Sequence, residues 1–308
     1  MRHAPLVADV VFAAMPTPFN ADGDVDNGAA GRLFRFLAGL VDGLFVAGTT
    51  GEFPALDDDE RLALIEAGLS AAGPERVIAH IGAPDSRRAA RLAASAAALG
   101  ATRIAAITPF YMAPAPGEVT AYYDRIRQAA PAAGLYAYVF PERTGVTVPP
   151  EQFAALAEAV GLAGAKFSGA AARNVAACSA LCPGLRIFSG DDTDLAATLG
   201  GGGAGIISAR SSAFPEVFSA LSAALASGSP ALPDAVSAPG APEAARRPQA
   251  DVTAIAALVT SIGRVKEALR VRGFGSMAAR MPVAVPDETT AAQIARLVKA
   301  LASASAPA

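Results

Sequence analysis

Tryptophan is absent from the 308-residue sequence, aromatic residues of every kind make up only 6% of it, and there are two cysteines and two histidines. So few cysteines exclude a scaffold stapled by disulfides. Cys178 and Cys182 stand four residues apart, which stacks them on one helix face. With no histidine near them in sequence they read as reduced structural thiols rather than metal ligands. Charge is sparse too, at 17% of residues, and its balance of 25 Lys+Arg against 28 Asp+Glu leaves a net charge of -3. That lacks the basic footprint of a nucleic-acid binder. Long uncharged runs are also missing: the longest, 217–233, is broken by Ser, Gly and Pro, so no transmembrane helix is expected despite 53% apolar residues. The first nine residues have no long apolar core and no cleavage site of a secretory leader, and the chain reads as a cytoplasmic protein.

What the sequence does have is an alternation. Eight short runs rich in apolar residues lie at 10–15, 43–47, 77–81, 103–107, 135–140, 162–167, 186–189 and 205–208, each followed by Gly, Pro, Thr or Asp. Segments of helical period separate them. In 57–72, Leu62, Ile65 and Leu69 share one face, Asp57 and Glu60 form a capping pair, and Gly73-Pro74 ends the helix. Near-continuous apolar strands suit a parallel sheet buried on both faces, and each crossover carries its own helix. Eight such units predict a (β/α)8 TIM barrel over residues 1–227, in preference to an open doubly wound sheet, because the first strand-to-helix turn lacks a dinucleotide glycine fingerprint. A C-terminal helical annex, 228–308, is expected to follow. Its Pro- and Ala-rich stretch 228–250 interrupts helix, and amphipathic pattern resumes at 251–272 and 289–302.

In such a barrel the strand ends at the C-terminal face carry the chemistry. Strand two ends in Gly48-Thr49-Thr50-Gly51-Glu52, able to hold a small anion through hydroxyls and backbone N–H groups. Lys166 lies in an apolar strand, where desolvation favours the neutral amine, and a neutral amine attacks ketones to form Schiff bases. The other reading of Lys166 is a lysine snorkelling from the strand end or paired with Asp191. Tyr138, Thr49 and Tyr111, at the same end of the barrel, offer a hydroxyl relay for the proton transfers that such chemistry needs.

These segments, Gly48 to Glu52, Pro109-Phe110-Tyr111, Tyr138-Val139-Phe140-Pro141, Gly164-Ala165-Lys166, Ser189-Gly190-Asp191-Asp192 and Gly205-Ile206-Ile207-Ser208, resemble the dihydrodipicolinate synthase/N-acetylneuraminate lyase superfamily of class I pyruvate aldolases. The likeness extends into the annex through 265–269 and Arg280-Met281-Pro282. It implies that Lys166 forms an imine with pyruvate or another 2-keto acid, that Tyr138 acts as acid and base, and that Thr49 links it to Tyr111, which in many members reaches in from a neighbouring subunit. Gly48, Thr49 and Thr50 would hold the keto-acid carboxylate, Ile207 and Gly190 would line the opposite wall, and Arg143 would grip a carboxylate of the second substrate. No metal or organic cofactor is expected; the partners are pyruvate and an aldehyde, with a homodimer or homotetramer as the assembly.

Substrate signals conflict. Phe167 stands where synthases usually carry an acidic residue, Phe110 replaces a common tyrosine, and His80-Ile81-Gly82 is more like lyases of sugar acids, whereas Arg143-Thr144-Gly145 is synthase-like. The leading expectation is an aldolase or lyase of a 2-keto-3-deoxy sugar acid. The alternatives are 4-hydroxy-tetrahydrodipicolinate synthase, which condenses pyruvate with aspartate semialdehyde, a dehydratase of keto-deoxy sugar acids, and a non-catalytic keto-acid-binding barrel. His80 is expected to be a satisfied barrel histidine, and Arg210 to make no substrate contact.

Overall fold

A computed structural model describes residues 10–115, 117–227 and 243–304. Eight parallel strands, β1 (Val11–Ala14), β2 (Gly43–Val46), β3 (Val77–His80), β4 (Arg103–Ile107), β5 (Gly134–Val139), β6 (Gly164–Phe167), β7 (Arg186–Ser189) and β8 (Gly205–Ser208), pair in sequence order, and β8 closes on β1. The crossovers carry helices α1 (Asn27–Ala38), α2 (Asp58–Ala72), α3 (Ser86–Ala98), α4 (Glu118–Ala129), α5 (Pro141–Thr144), α6 (Pro150–Val160), α7 (Val175–Leu181) and α8 (Leu195–Gly200). After β8 come α9 (Pro215–Ser227), α10 (Glu243–Leu258), α11 (Ile262–Val271) and α12 (Glu288–Ala304). The (β/α)8 barrel with its C-terminal helices is the fold that the strand count predicts. No helix among the described residues is long and apolar enough to cross a membrane.

Strand side chains alternate between two cores, as a period of two demands. Phe12, Phe45, Ile78, Tyr136, Tyr138 and Phe188 fill the barrel, while Val11, Leu44, Val77, Leu135, Val139 and Phe167 meet the helices outside. Large rings need small partners in the inner layer. A Cβ on Gly43 would come within 2.1 Å of the Phe12 ring, and one on Gly164 within 2.5 Å of Tyr136. Both glycines face a ring on the adjacent strand, at Phe12↔Gly43 and Tyr136↔Gly164. In this phase Lys166, opposite Tyr138 across β5 and β6, points inward, and Phe167 points out.

The capping pair of α2 is present in both directions: the Glu60 N–H donates to Asp57 Oδ1 at 2.7 Å and the Asp57 N–H to Glu60 Oε2 at 3.1 Å. Three expectations are corrected. Helix α10 begins at Glu243 and contains Pro248, sooner than the proline content suggested; the remainder of the Pro-rich stretch, 228–242, lies outside the described residues. The amphipathic run 251–272 is not one helix, because Ser261 accepts the Arg264 N–H and starts α11 afresh, leaving a joint at Val259-Thr260-Ser261. Cys182 caps α7 rather than lying in it; both thiols are free, and burial pushes Cys178 up to about 12.

The annex shares the barrel's outer core: Val252, Ile255, Val259, Val265, Leu269 and Ile294 are buried in it. It is also latched by charge. Lys266, 2% exposed, pairs with the fully buried Glu52, whose other oxygen accepts the N–H groups of Arg280 and Met281 at 2.9 and 2.7 Å. Arg280 grips both oxygens of Glu60 at 2.6 Å, so the cap of α2 also anchors the annex.

Candidate active site

Glycine and strain together shape the turn after β2. Ala47 and Glu52 both have φ of +56°, a left-handed backbone that non-glycine residues adopt at a cost of about 1–3 kcal/mol each, and they bracket Gly48 to Gly51. Each end is held: the Ala47 carbonyl accepts His80 Nδ1–H at 2.9 Å, and the annex holds the Glu52 carboxylate. Within the turn the N–H groups of Gly51, Glu52 and Phe53 donate back to Gly48 and Thr49 carbonyls. Those of Thr49 and Thr50 have no protein acceptor among the described residues and are available to an anion.

Lys166 is 6% exposed, and its Nζ sits 4.7 Å from the centre of the Phe45 ring and 4.6 Å from that of Tyr138. Burial pushes its amine down to about 7, the Asp192 carboxylate opposing only part of the shift. The anticipated alternative of a pair with Asp191 is not formed, since Asp191 Oδ1 takes the Thr193 hydroxyl instead. Asp192 is the carboxylate whose charge acts on the amine, but it is committed to Ser208 Oγ and Arg210 Nη1, each at 2.5 Å. Such burial favours the neutral, nucleophilic form of the amine.

Tyr138 is 1% exposed and shares a hydrogen bond with Thr49 Oγ1 at 3.2 Å; burial raises its phenol above the usual range, and Thr49 and Ser168 moderate the rise. Lys166, Tyr138, Thr49, Thr50, Arg143, Ile207 and Gly190 all line one pocket of about 230 Å³. Gly48 does not line it. Its role is steric, because a Cβ there would lie 2.5 Å from the Phe45 ring on which Lys166 rests. Gly190 is likewise required, a Cβ falling 2.1 Å from Ser168 Oγ.

Tyr111 is not brought into the pocket. It is 93% exposed at φ +77°, beside Met112 at 74%, so within one chain Tyr111 adds no hydroxyl to the Tyr138–Thr49 pair. Arg143 is exposed, stacked 5.5 Å above the Phe140 ring at the pocket mouth. His80 is fully buried and satisfied: Nδ1–H donates to Ala47, Nε2 accepts the Ile107 N–H at 3.3 Å, and burial holds its pKa well below the ordinary value. Arg210 lines the wall, but its guanidinium is spent on Asp192 and the Val259 carbonyl.

Two contributors were not legible in the sequence. Phe45, the ring beneath the amine, looks like any strand apolar residue. The joint between α10 and α11, Val259 to Ser261, brings the annex over the barrel mouth as a wall of the pocket; Ser261 at the start of an amphipathic run was its one available signal.

The chain matches the dihydrodipicolinate synthetase family over residues 8–301. The 4-hydroxy-tetrahydrodipicolinate synthase of Synechococcus sp. (strain WH7803) is 36% identical over 225 residues, covering 72% of this chain and 74% of that protein. Among solved structures, YagE, a prophage protein of the dihydrodipicolinic acid synthase family from E. coli K12 in complex with pyruvate, is 25% identical with a TM-score of 0.83, covering 96% of this chain and 99% of that one. A sialic acid aldolase from Ruminococcus gnavus, 21% identical, shares the fold at a TM-score of 0.84 over 96% of this chain and 99% of its own. A closed barrel with a desolvated lysine facing a small polar pocket agrees with these likenesses, and the chain belongs to the dihydrodipicolinate synthetase family, enzymes that form or cleave carbon–carbon bonds through a lysine Schiff base.

Proposed function

We propose that the protein condenses pyruvate with aspartate semialdehyde, the reaction of a 4-hydroxy-tetrahydrodipicolinate synthase. The observation that carries this reading is the Lys166 amine, held near pH 7 by burial, facing a 230 Å³ pocket that the Thr49–Tyr138 pair lines and Arg143 borders at the mouth. Lys166 Nζ attacks the ketone carbon of pyruvate. Tyr138 protonates the departing hydroxyl, and the pyruvate carboxylate rests on the Thr49 and Thr50 N–H groups. Loss of a C3 proton makes the enamine, whose C3 attacks the aldehyde carbon, while Tyr138 returns a proton to the new alkoxide. Arg143 pairs with the carboxylate of the incoming aldehyde. Ring closure by the substrate's own amine at the imine carbon then expels Lys166.

Two features that argued for a sugar acid lose their force. Phe167 faces the helices, 5.1 Å from the Phe153 ring, and His80 is locked inside the barrel below the pocket. The 36% identity to a curated synthase adds support. Tyr111, at an exposed tip, serves in this reading a second copy's relay in a homodimer or homotetramer.

The test is borohydride reduction with pyruvate, followed by peptide mapping and by initial rates with aspartate semialdehyde and with 2-keto-3-deoxy sugar acids. A stable adduct on Lys166 and formation of the cyclic product are expected. Replacing Arg143 with Gln should raise KM for aspartate semialdehyde by about tenfold or more while pyruvate trapping is unchanged, the loss of a charged hydrogen bond being worth about 1.5–3 kcal/mol. Pyruvate release from the sugar acid without cyclic product would return the assignment to the lyase.

A further inference from the structure

A buried lysine and a buried carboxylate at the same end of neighbouring strands ordinarily pair, because each is costly to hold alone. Lys166 on β6 is 6% exposed, and Asp192, three residues past the end of β7, is 2% exposed. The carboxylate is close enough for its charge to act on the amine. Yet among the described residues no ion pair forms at Lys166, and Nζ rests instead against the Phe45 and Tyr138 rings.

Donors from β8 and beyond hold Asp192. Ser208 Oγ accepts the Ser211 N–H at 3.0 Å, so its own proton is directed to Asp192 Oδ2 at 2.5 Å. Arg210 Nη1 takes Oδ1 at 2.5 Å, and Arg210 Nε donates to the Val259 carbonyl in the α10–α11 joint at 2.8 Å. Gln249 of α10 donates to the Thr193 carbonyl at 3.0 Å and ties the same turn to the annex.

We propose that Arg210 is a positioning residue for imine formation: it claims Asp192 and fastens it to the annex, which denies Lys166 a counter-ion and leaves the amine free to attack the ketone. The inference rests on the Lys166 imine chemistry above. The other titratable groups around the amine do not substitute for Arg210. Tyr138 on β5 and His80 on β3 are uncharged near pH 7, since burial lifts the phenol and lowers the imidazole. Arg143 at the mouth is exposed, and Asp191 is exposed and takes the Thr193 hydroxyl. Removing the Arg210 guanidinium therefore leaves a buried anion free to stabilise the Lys166 ammonium, and an ammonium so stabilised gives up its proton only at higher pH.

The rate of borohydride trapping of pyruvate is followed from about pH 6 to 10 in wild type, Arg210→Met, Asp192→Asn and the double variant, a range that spans the titration of a perturbed lysine. The midpoint of each curve reads the amine, and the plateau reads the shape of the pocket. Arg210→Met should raise the midpoint by about one pH unit or more, the scale of an opposite charge released beside a buried group. Asp192→Asn should lower it, because the amine loses its anion and gains an unpaired guanidinium. The double variant should lie at or below wild type, and Arg210→Lys, which keeps the charge, should restore the wild-type midpoint. Arg210→Gln repeats the measurement should Arg210→Met not fold. A midpoint unchanged or lowered in the neutral Arg210 variants overturns the proposal, as does a rise that persists in the double variant. A change of plateau alone marks a merely structural arginine and overturns it as well. Absence of the pyruvate adduct on wild-type Lys166 overturns the parent reading instead.

Discussion

Replacing Lys166 with Met removes a charge from a buried site while keeping an unbranched stem of similar reach. The amine falls from 10.5 to about 7 on folding, and at about 1.4 kcal/mol per pH unit the folded protein bears up to ~5 kcal/mol for holding this ammonium below pH 7. Between pH 7 and 10.5 the unfolded chain keeps the proton and the folded chain does not, so this penalty shrinks as pH rises. The Met variant should therefore exceed wild type in urea-unfolding free energy by several kcal/mol at pH 6, and by only ~1 kcal/mol at pH 9.5, since other titrating groups cancel between the two proteins. In parallel, the rate of borohydride trapping of pyruvate by wild type should rise through pH 7 and level off. A variant no more stable than wild type at pH 6, or an advantage independent of pH, would mean that the ammonium is solvated in the fold. The nucleophile would then be scarce at neutral pH and the imine mechanism would lose its physical basis.

Tyr138→Phe should leave Lys166 open to pyruvate trapping but depress turnover by about 10²–10⁴-fold, the scale of a lost acid–base group; a loss of less than a few-fold, read in steady-state kinetics, removes Tyr138 from the relay. Glu52→Gln leaves Lys266 buried with half its partner gone, and should destabilise the protein by about 3–5 kcal/mol in urea unfolding while raising KM for pyruvate as the Thr49–Thr50 turn loosens. The double variant Glu52→Gln/Lys266→Met should recover much of that stability, and a single-variant loss below ~1 kcal/mol would show the latch to be idle.

The barrel was legible because its signals are local. Each strand is short, apolar on both faces and followed by turn residues, and the Asp57–Glu60 pair marks the start of α2 from four residues of sequence. Lys166 stood out for the same reason, a lone charge in an apolar strand. Tyr111 was harder to read, since a hydroxyl on a strand-end loop carries no local record of whether it turns inward or out, and here it turns out. The joint at Val259 to Ser261 was hidden because amphipathic period continues across it and only tertiary packing shows that the helix breaks. Phe167 misled in the other direction. As a motif neighbour of Lys166 it suggested a different substrate, yet a period of two sends adjacent side chains to opposite faces, and its ring never meets the pocket.

The wall contributed by the α10–α11 joint belongs to chain that follows the eighth strand, whereas Lys166 and Tyr138 belong to the staves. The pocket is thereby walled by two separate stretches of polypeptide, barrel and annex, joined by the buried Glu52–Lys266 link. Exchange of the final helices between relatives would then replace one wall of the pocket while leaving Lys166 and Tyr138 in place, provided that Glu52 and Lys266 are inherited together.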